Sequence, residues 1–278
     1  MSETALPIEV TGELRVPINQ SATAKGSIHD DATASKLGFR GGTVAGSVHM
    51  DQYVPLMRQA FGDDWLGQGN LSVYFRQATI DREPVRAFTL RAPGASQARV
   101  RMENERGDLI NEGTASASGA DLETELSKRV KAMTPATGLR ILAASKVGKE
   151  VFDVPARSTQ EALDRRLTAI TEPLDIYASG ILPPSSATEL FRKVEATLFD
   201  RTGVVGLFGA IELQTLNGPL KVETDYIARA KILALTESPK TENVWYQAHL
   251  TDPATGSDAG WMIMYLRFLK ASSALWTT

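Results

Sequence analysis

The chain has 278 residues, of which 42% are hydrophobic and 23% are charged, as in a soluble globular protein of one large or two smaller domains. The net charge of −3 and the scattered basic residues argue against nucleic-acid binding. The lack of cysteine excludes disulfides, thiolate nucleophiles and Cys-ligated metal sites. No apolar run approaches the ~20 residues of a membrane helix, no export signal is evident, and we expect a cytoplasmic protein.

The first half of the chain predicts a strand, two helices and then four strands. Residues 8–16 alternate as in a strand, and residues 30–38 have the acidic start and the glycine end of a short helix. Residues 45–61 have apolar side chains at helical spacing, and Pro55 within them predicts a kink or a break. Four runs rich in β-formers follow, separated by Gly or Pro: residues 70–78, 84–92, 96–104 and 109–118.

The middle of the chain changes character. Residues 120–180 contain charged, helix-forming segments, which predict a helical connector rather than a further core. We therefore predict an N-terminal domain of residues 1–119 and a C-terminal domain of residues 181–278.

The second half repeats the order of elements of the first half. Residues 185–199 begin with Ser185 and have Glu189 close behind, which predicts a capped amphipathic helix. Four strand-like segments follow it: residues 209–216, 220–238, 241–252 and 260–271. One helix followed by four strands, twice, indicates an internal duplication, and two such units can bury their sheets when joined edge to edge.

Residues 27–50 concentrate the groups that could carry chemistry. His29 can accept or give a proton at neutral pH because an unperturbed imidazole has a pKa of about 6.5, or it can help to cap the following helix. Asp30 and Asp31 can orient His29, or they can stabilise the helix start as acidic residues commonly do. His49, one turn into the next helix, can face a pocket or be buried in the core.

The stretches "SIHDD…LGFRGGTVAG" and "FGDDWLGQGNLSVYFRQATIDREPV" resemble the MaoC-like dehydratases of the hot-dog fold. The second half, with "GPLKVETDYIARAKILALTESPKTENVWYQAHLTDPATG", is similar to the second half of double hot-dog members. This resemblance implies an α+β double hot-dog, in which two long helices are each wrapped by a curved antiparallel sheet and the sheets join into one. It also implies acyl-thioester chemistry, usually the reversible hydration of a trans-2-enoyl-CoA to the (R)-3-hydroxyacyl-CoA.

The family's catalytic pair is an aspartate and a histidine five residues later, and a backbone N–H at the helix start polarises the thioester carbonyl. In this sequence His29 matches the histidine and Gly46 the helix-start glycine, whereas Ala24 stands at the aspartate position. Asp30 is the candidate replacement for the missing carboxylate. Three further residues are expected to contact substrate: Gly42, Ala45 and His49.

The predicted function is an acyl-thioester hydro-lyase of the enoyl-CoA hydratase or dehydratase type, with a role in fatty acid metabolism. Its partner would be an acyl-CoA or acyl-carrier thioester lying in an apolar tunnel, with no metal and no cofactor other than the CoA of the substrate. A hot-dog thioesterase and a hydro-lyase of a non-CoA substrate are alternatives. Ala24 favours a third alternative, a non-catalytic acyl-CoA binder or scaffold subunit. A monomer, a homodimer and a hetero-oligomer are all compatible with the fold.

Overall fold

The computed structural model describes residues 6–118, 123–169 and 174–276. The strands within these residues are β1 (Ile8–Arg15), β2 (Asn70–Phe75), β3 (Val85–Arg91), β4 (Gln97–Asn104), β5 (Leu109–Ser116), β6 (Glu150–Ala156), β7 (Gly206–Thr215), β8 (Tyr226–Glu237), β9 (Thr241–Thr251) and β10 (Asp258–Leu269). The helices are α1 (Asp31–Lys36), α2 (Gly46–Asp51), α3 (Val54–Phe61), α4 (Trp65–Gln68), α5 (Glu125–Lys131), α6 (Gln160–Leu167), α7 (Pro184–Phe191) and α8 (Glu195–Leu198). In the described part of the chain, no helix is long and apolar enough to cross a membrane.

All of these strands form one antiparallel sheet, in the order β1-β3-β4-β5-β2-β7-β10-β9-β8-β6. The two halves of the chain contribute five neighbouring strands each, and the order within the second half mirrors that within the first. The halves meet where β2 pairs with β7, from Asn70 opposite Gln214 to Tyr74 opposite Ala210. The predicted continuous antiparallel sheet is therefore confirmed.

The strand β6 lies within residues 120–180, where the sequence predicts only helices. It pairs with β8 at the edge of the second half, as β1 pairs with β3 at the edge of the first. Its side chains do not alternate regularly, because the register shifts between Val151 and Val154 and Asp153 has a φ of 57°. Pro155 is a residue that sheets tolerate mainly at edges. The predicted domain boundaries stay predictions.

Within the described residues, neither half contains one long unbroken helix. The interruption predicted at Pro55 is confirmed: α2 ends at Asp51, and α3 begins at Val54, so that Pro55 lies in the first turn of a new helix, where its missing N–H is tolerated. In the second half, α7 continues through a 3₁₀ turn at Arg192–Val194 into α8. The helices α2 and α7 contact each other, and buried residues of both halves form one core with the sheet, among them Met50, Met57, Val73, Leu190, Phe191, Tyr246 and Met264.

The start of α7 differs from the prediction, which made Ser185 the cap of this helix. Pro183 is the N-cap residue, and Pro184 occupies the first helical position. The backbone N–H of Ser185 instead donates to Asp51 Oδ1 at 2.8 Å, and its hydroxyl donates to Asp51 Oδ2 at 2.5 Å. A carboxylate from the first half thus caps the helix of the second half.

The helix α5 of the connector packs on the opposite face of the sheet. Leu126 lies against Trp245 of β9. Tyr246, the residue after Trp245 in the same strand, points to the other face and into the main core, because successive strand residues alternate between faces. Thr124 caps α5 and donates a hydrogen bond to the buried Glu212 at 2.8 Å. This helix therefore covers the outer face of the sheet, whereas α2 and α7 pack on the inner face.

Candidate active site

His29 lies in the loop before α1 and lines a cavity of about 750 Å³ between the two halves. Its ring Nδ1 lies 2.7 Å from the carbonyl oxygen of Thr43. Because a carbonyl oxygen only accepts hydrogen bonds, Nδ1 carries the proton, and in the neutral ring Nε2 holds the lone pair. Thr43 therefore selects the tautomer in which Nε2 can act as a base.

The surroundings of His29 favour its neutral form. Burial lowers the pKa of the ring, the hydrogen bond to Thr43 opposes this, and the positive charge of Arg192 lowers the pKa further. The pKa of His29 therefore lies below the ordinary value of 6.5. At neutral pH the ring is predominantly uncharged and can accept a proton.

The loop that carries His29 is fixed by close backbone contacts. Asn19 Nδ2 donates to the carbonyl oxygen of His29 at 2.8 Å. The backbone N–H of Gly42 donates to Asp31 Oδ1 at 2.6 Å. A Cβ at Gly42 would lie 2.4 Å from the same His29 carbonyl oxygen, so glycine is needed for this approach. Gly42 supports the His29 loop in this way, and its predicted contact with substrate stays a prediction.

Asp30, the predicted catalytic carboxylate, is the N-cap residue of α1. Its Oδ2 accepts hydrogen bonds from the Thr33 hydroxyl at 2.6 Å and from the Thr33 backbone N–H at 3.3 Å. The hydrogen bond from the Thr33 hydroxyl is the main reason that the pKa of Asp30 is lowered. Asp30 is not among the residues that line the His29 cavity. The carboxylate next to His29 in the sequence therefore caps the start of α1 and does not face the cavity.

Ala45 and Gly46 form the start of α2. Ala45 is the N-cap residue and lines the His29 cavity. The N–H groups of Gly46 and Ser47 belong to the first helical turn, which offers them no acceptor within the helix. A Cβ on Gly46 would lie 3.1 Å from the ring of Phe75, so glycine lets the helix start pack against β2. Ala45 thus lines the His29 cavity, whereas Gly46 lines a neighbouring cavity, and the turn lies between the two.

His49, predicted to contact substrate, is buried inside the first half. Its Nε2 lies 2.7 Å from the Thr79 hydroxyl, and burial lowers its pKa to about 4. His49 and Gly46 line a second cavity, of about 250 Å³. Ile28 and Phe208 line both cavities and so stand between them. His49 is consequently a neutral histidine that borders a different cavity from His29.

The wall of the His29 cavity is built by both halves and by the connector. Charged side chains of the connector and the second half form a large part of it: Glu161, Arg165, Arg166, Glu189, Arg192 and Arg201. Apolar side chains of the second half supply another part: Val204, Val205, Phe208, Leu266 and Phe268. The space beside His29 is therefore mixed in polarity, whereas the sequence predicts an apolar tunnel.

Arg192, which follows α7, joins two carboxylates. Its guanidinium donates to Glu195 through Nε at 2.7 Å and Nη2 at 3.0 Å, and to Glu189 through Nη1 at 3.0 Å. The Glu195 side chain is 2% exposed, accepts a hydrogen bond from the Tyr246 hydroxyl at 2.8 Å and pairs with Arg201 at 2.9 Å. Burial alone would lower the pKa of Arg192, but the carboxylates of Glu195 and Glu189 raise it. Arg192 thus stays charged and holds Glu189 at the cavity wall.

Sequence reasoning misses this network. The available signal is the spacing of Glu189, Arg192 and Glu195, which recur every three residues and so share one helical face. From the sequence alone, Glu189 is predicted only to be part of a helix cap. That this charged face meets the loop of His29 depends on packing between the two halves, which no local pattern encodes.

Solved structures with the same architecture cover nearly the whole chain. A protein described as a MaoC domain dehydratase from Chloroflexus aurantiacus J-10-fl has a TM-score of 0.59 at 13% identity, over 95% of each chain. A MaoC-like dehydratase has a TM-score of 0.55 at 15% identity, over 96% of this chain and 99% of the other. A conserved Mycobacterium tuberculosis protein with a double hotdog fold has a TM-score of 0.58 at 12% identity, over 95% of each chain. This chain has a double hot-dog fold.

The double hot-dog predicted from the sequence is thereby confirmed, and so is the resemblance to MaoC-like dehydratases at the level of the fold. No protein-family model and no curated protein sequence matches the chain. A shared fold does not establish a shared reaction, because one fold can hold many different sites. The reaction of this double hot-dog has to be inferred from the residues that line its cavity.

Proposed function

We propose that this double hot-dog protein is an acyl-thioester hydro-lyase, which reversibly hydrates an enoyl group carried by CoA or an acyl carrier protein. The observation that supports it best is His29, whose tautomer leaves Nε2 unprotonated and whose pKa is lowered. His29 lines a cavity of about 750 Å³, a volume typical of small-molecule sites. No cofactor is proposed beyond the CoA or pantetheine arm of the substrate.

In the hydration direction, Nε2 of neutral His29 takes a proton from a water molecule as the water oxygen bonds to C3 of the enoyl group. The C2–C3 π electrons move toward the carbonyl carbon, and negative charge develops on the thioester oxygen. The proposed donor to that oxygen is the backbone N–H of Gly46, which directly follows Ala45 in the cavity wall. The thioester oxygen would then lie toward the neighbouring cavity that Gly46 lines, and such a fixed donor contributes about 3 kcal/mol. Protonated His29 then gives its proton to C2, and dehydration follows the reverse path.

We assign the carboxylate of the site to Glu189 rather than to Asp30. The family resemblance implies an aspartate where Ala24 stands, and the carboxylate of Asp30 caps α1. Glu189 lines the same cavity as His29 and is held by Arg192. As a carboxylate it can accept a hydrogen bond from the attacking water and orient it toward the base.

The test of this function follows the loss of enoyl-thioester absorbance, with purified protein and enoyl-CoA substrates of several chain lengths. We expect turnover by the parent and a fall in kcat of about 10²- to 10⁴-fold in His29→Ala, because general base catalysis contributes an effect of this size. His249→Ala is the matched control, since His249 is a half-buried histidine on β9 outside the cavity. No change in absorbance at any chain length would contradict the proposal, and release of free thiol would indicate a thioesterase.

The role of Glu189 is tested by Glu189→Gln in the same assay. Because Glu189 is proposed to orient water, we expect a lower kcat with a nearly unchanged KM. The matched control is Glu125→Gln, since Glu125 pairs with Arg129 in α5 on the other face of the sheet. A Glu189→Gln protein with the parent's kcat would remove this carboxylate from the mechanism.

A further inference from the structure

The cavity of His29 is positively charged although the chain has a net charge of −3. Its lining contains four arginines against two glutamates, which gives a net charge of +2. Two of these arginines are neutralised, because Arg192 pairs with Glu189 and Glu195, and Arg201 pairs with Glu195. Among the ion pairs of the described residues, none involves Arg165 or Arg166. With these pairs and Glu195 counted, Arg165, Arg166 and Glu161 remain, all on α6, and they leave a net charge of +1.

The helix α6 is docked on the protein rather than loosely attached. Leu163 on its inner face is fully buried, and Thr159 caps its N-terminus by accepting a hydrogen bond from Ala162 N–H. Gln20 Nε2 donates to the carbonyl oxygen of Arg165 and to the Thr168 hydroxyl. Since Gln20 lies in the loop that leads to His29, α6 is fastened directly to the candidate active site.

The two arginines occupy different depths of the cavity wall. Arg165 is exposed and Arg166 is partly buried. The positive charge of Arg166 also lowers the pKa of Asp51, a fully buried carboxyl group between α2 and α7. The side chains of α6 consequently extend positive charge from the rim toward the interior of the cavity.

We propose that Arg165 and Arg166 form a subsite for an oxyanion of the substrate, a phosphate or a carboxylate. This inference rests on the proposed function to the extent that the anion belongs to the thioester that reaches His29. Guanidinium groups bind phosphate and carboxylate through paired N–H donors, and neither of these arginines forms an ion pair with a carboxylate of the described residues. The anion is either a phosphate of the CoA or phosphopantetheine arm or a carboxylate on the acyl group. On either assignment, α6 is part of the binding site.

Calorimetric binding of saturated thioesters tests the subsite without turnover, because a saturated acyl group cannot be hydrated. Butyryl-CoA, butyryl-pantetheine and succinyl-pantetheine present phosphate, no anion and a carboxylate, respectively. We expect the parent to bind at least one of the two anionic ligands about tenfold more tightly than butyryl-pantetheine, and the Arg165→Gln/Arg166→Gln protein to lose that preference. Arg99→Gln, on the exposed side of β4, is the matched control and keeps the parent's affinities.

The pattern of losses identifies the anion. Weaker binding of butyryl-CoA alone assigns the subsite to a phosphate, and weaker binding of succinyl-pantetheine alone assigns it to a carboxylate. Equal affinities in the parent and the double variant for all three ligands overturn the proposal, and so does a parent that binds none of them. A parent that shows the anion preference but hydrates no enoyl-thioester would refute the hydro-lyase function and leave the subsite standing. As a second measurement, the anion preference of the parent is expected to weaken with rising ionic strength.

Discussion

Asp51 at the end of α2 accepts two hydrogen bonds from Ser185 in the first turn of α7, one from the backbone N–H and one from the hydroxyl. Both residues are fully buried, so the pair is a polar connection between the two halves inside the core. Burial raises the pKa of Asp51 to about 7, although the hydrogen bonds from Ser185 act in the opposite direction. The junction of the halves is therefore sensitive to pH.

We expect this carboxyl group to make the protein less stable as the pH rises from about 4 to about 7. In that window folded Asp51 holds a proton that the unfolded chain, with its pKa near 3.8, has already lost. Asp51→Asn does not titrate and should lack this component, which amounts to a few kcal/mol at about 1.4 kcal/mol per pKa unit. Urea unfolding of both proteins across the window measures it, and equal pH dependence of the two would contradict the assignment.

The charge state of His29 predicts the pH profile of the reaction. A general base must be unprotonated, so kcat/KM should be constant near neutral pH and fall about tenfold per pH unit below the pKa of His29. That pKa lies below 6.5, so the midpoint of the fall should lie there as well. The residual activity of His29→Ala should not show this fall in kcat/KM at low pH. A midpoint above 6.5 in the parent would show that His29 is not the titrating base.

Arg192→Met should strongly destabilise the protein. It leaves the buried carboxylate of Glu195 with Arg201 as its remaining charged partner, and breaking a buried ion pair from one side costs about 3–5 kcal/mol. Arg58→Met is the control, since the pair of Arg58 with the exposed Asp63 contributes less than about 1 kcal/mol. Chemical denaturation compares the two, and similar losses would mean that the buried network has no special role in stability.

Gly42→Ala should disturb the site through the backbone of His29. The added methyl would lie 2.4 Å from the His29 carbonyl oxygen, so the loop must move, at a cost of about 1–3 kcal/mol and with a lower kcat. Gly41→Ala is a neighbouring control, because its nearest contact would be an ordinary 3.4 Å to Asp31 Oδ1. Thermal unfolding and kinetics on both variants test this, and a Gly42→Ala protein with parental stability and kcat would refute the proposed strain.

Much of the fold is predictable from local sequence patterns. The break before α3 follows from Pro55, and most strands follow from alternation between glycine or proline turns. The strand β6 is not predictable in this way, because Asp153 and Pro155 interrupt its pattern and its pairing with β8 is non-local. The capping role predicted for Ser185 is wrong, since α7 begins at Pro184 after the N-cap residue Pro183, and Ser185 in the first turn donates to Asp51 of the other half.

Only the part of the candidate site that the first half contributes is predictable from the sequence. His29 and Gly46 stand in a short segment whose order of elements resembles a known family, so they can be singled out from the sequence. Glu189 reaches the same cavity only through the packing of α7 against α2, and Arg165 only through the docking of α6. Contacts between residues so distant in the chain cannot be predicted from the hydrophobic periodicity or the residue spacing of the sequence.

The joining of two five-strand units within one polypeptide has a consequence for how such a site can change. Two identical chains related by a twofold axis would carry two identical sites, and every substitution would appear in both. Here each unit has its own sequence, so the base can be kept in one unit and the carboxylate in the other. A mutation in either unit therefore alters one wall of the cavity and leaves the opposite wall as it was.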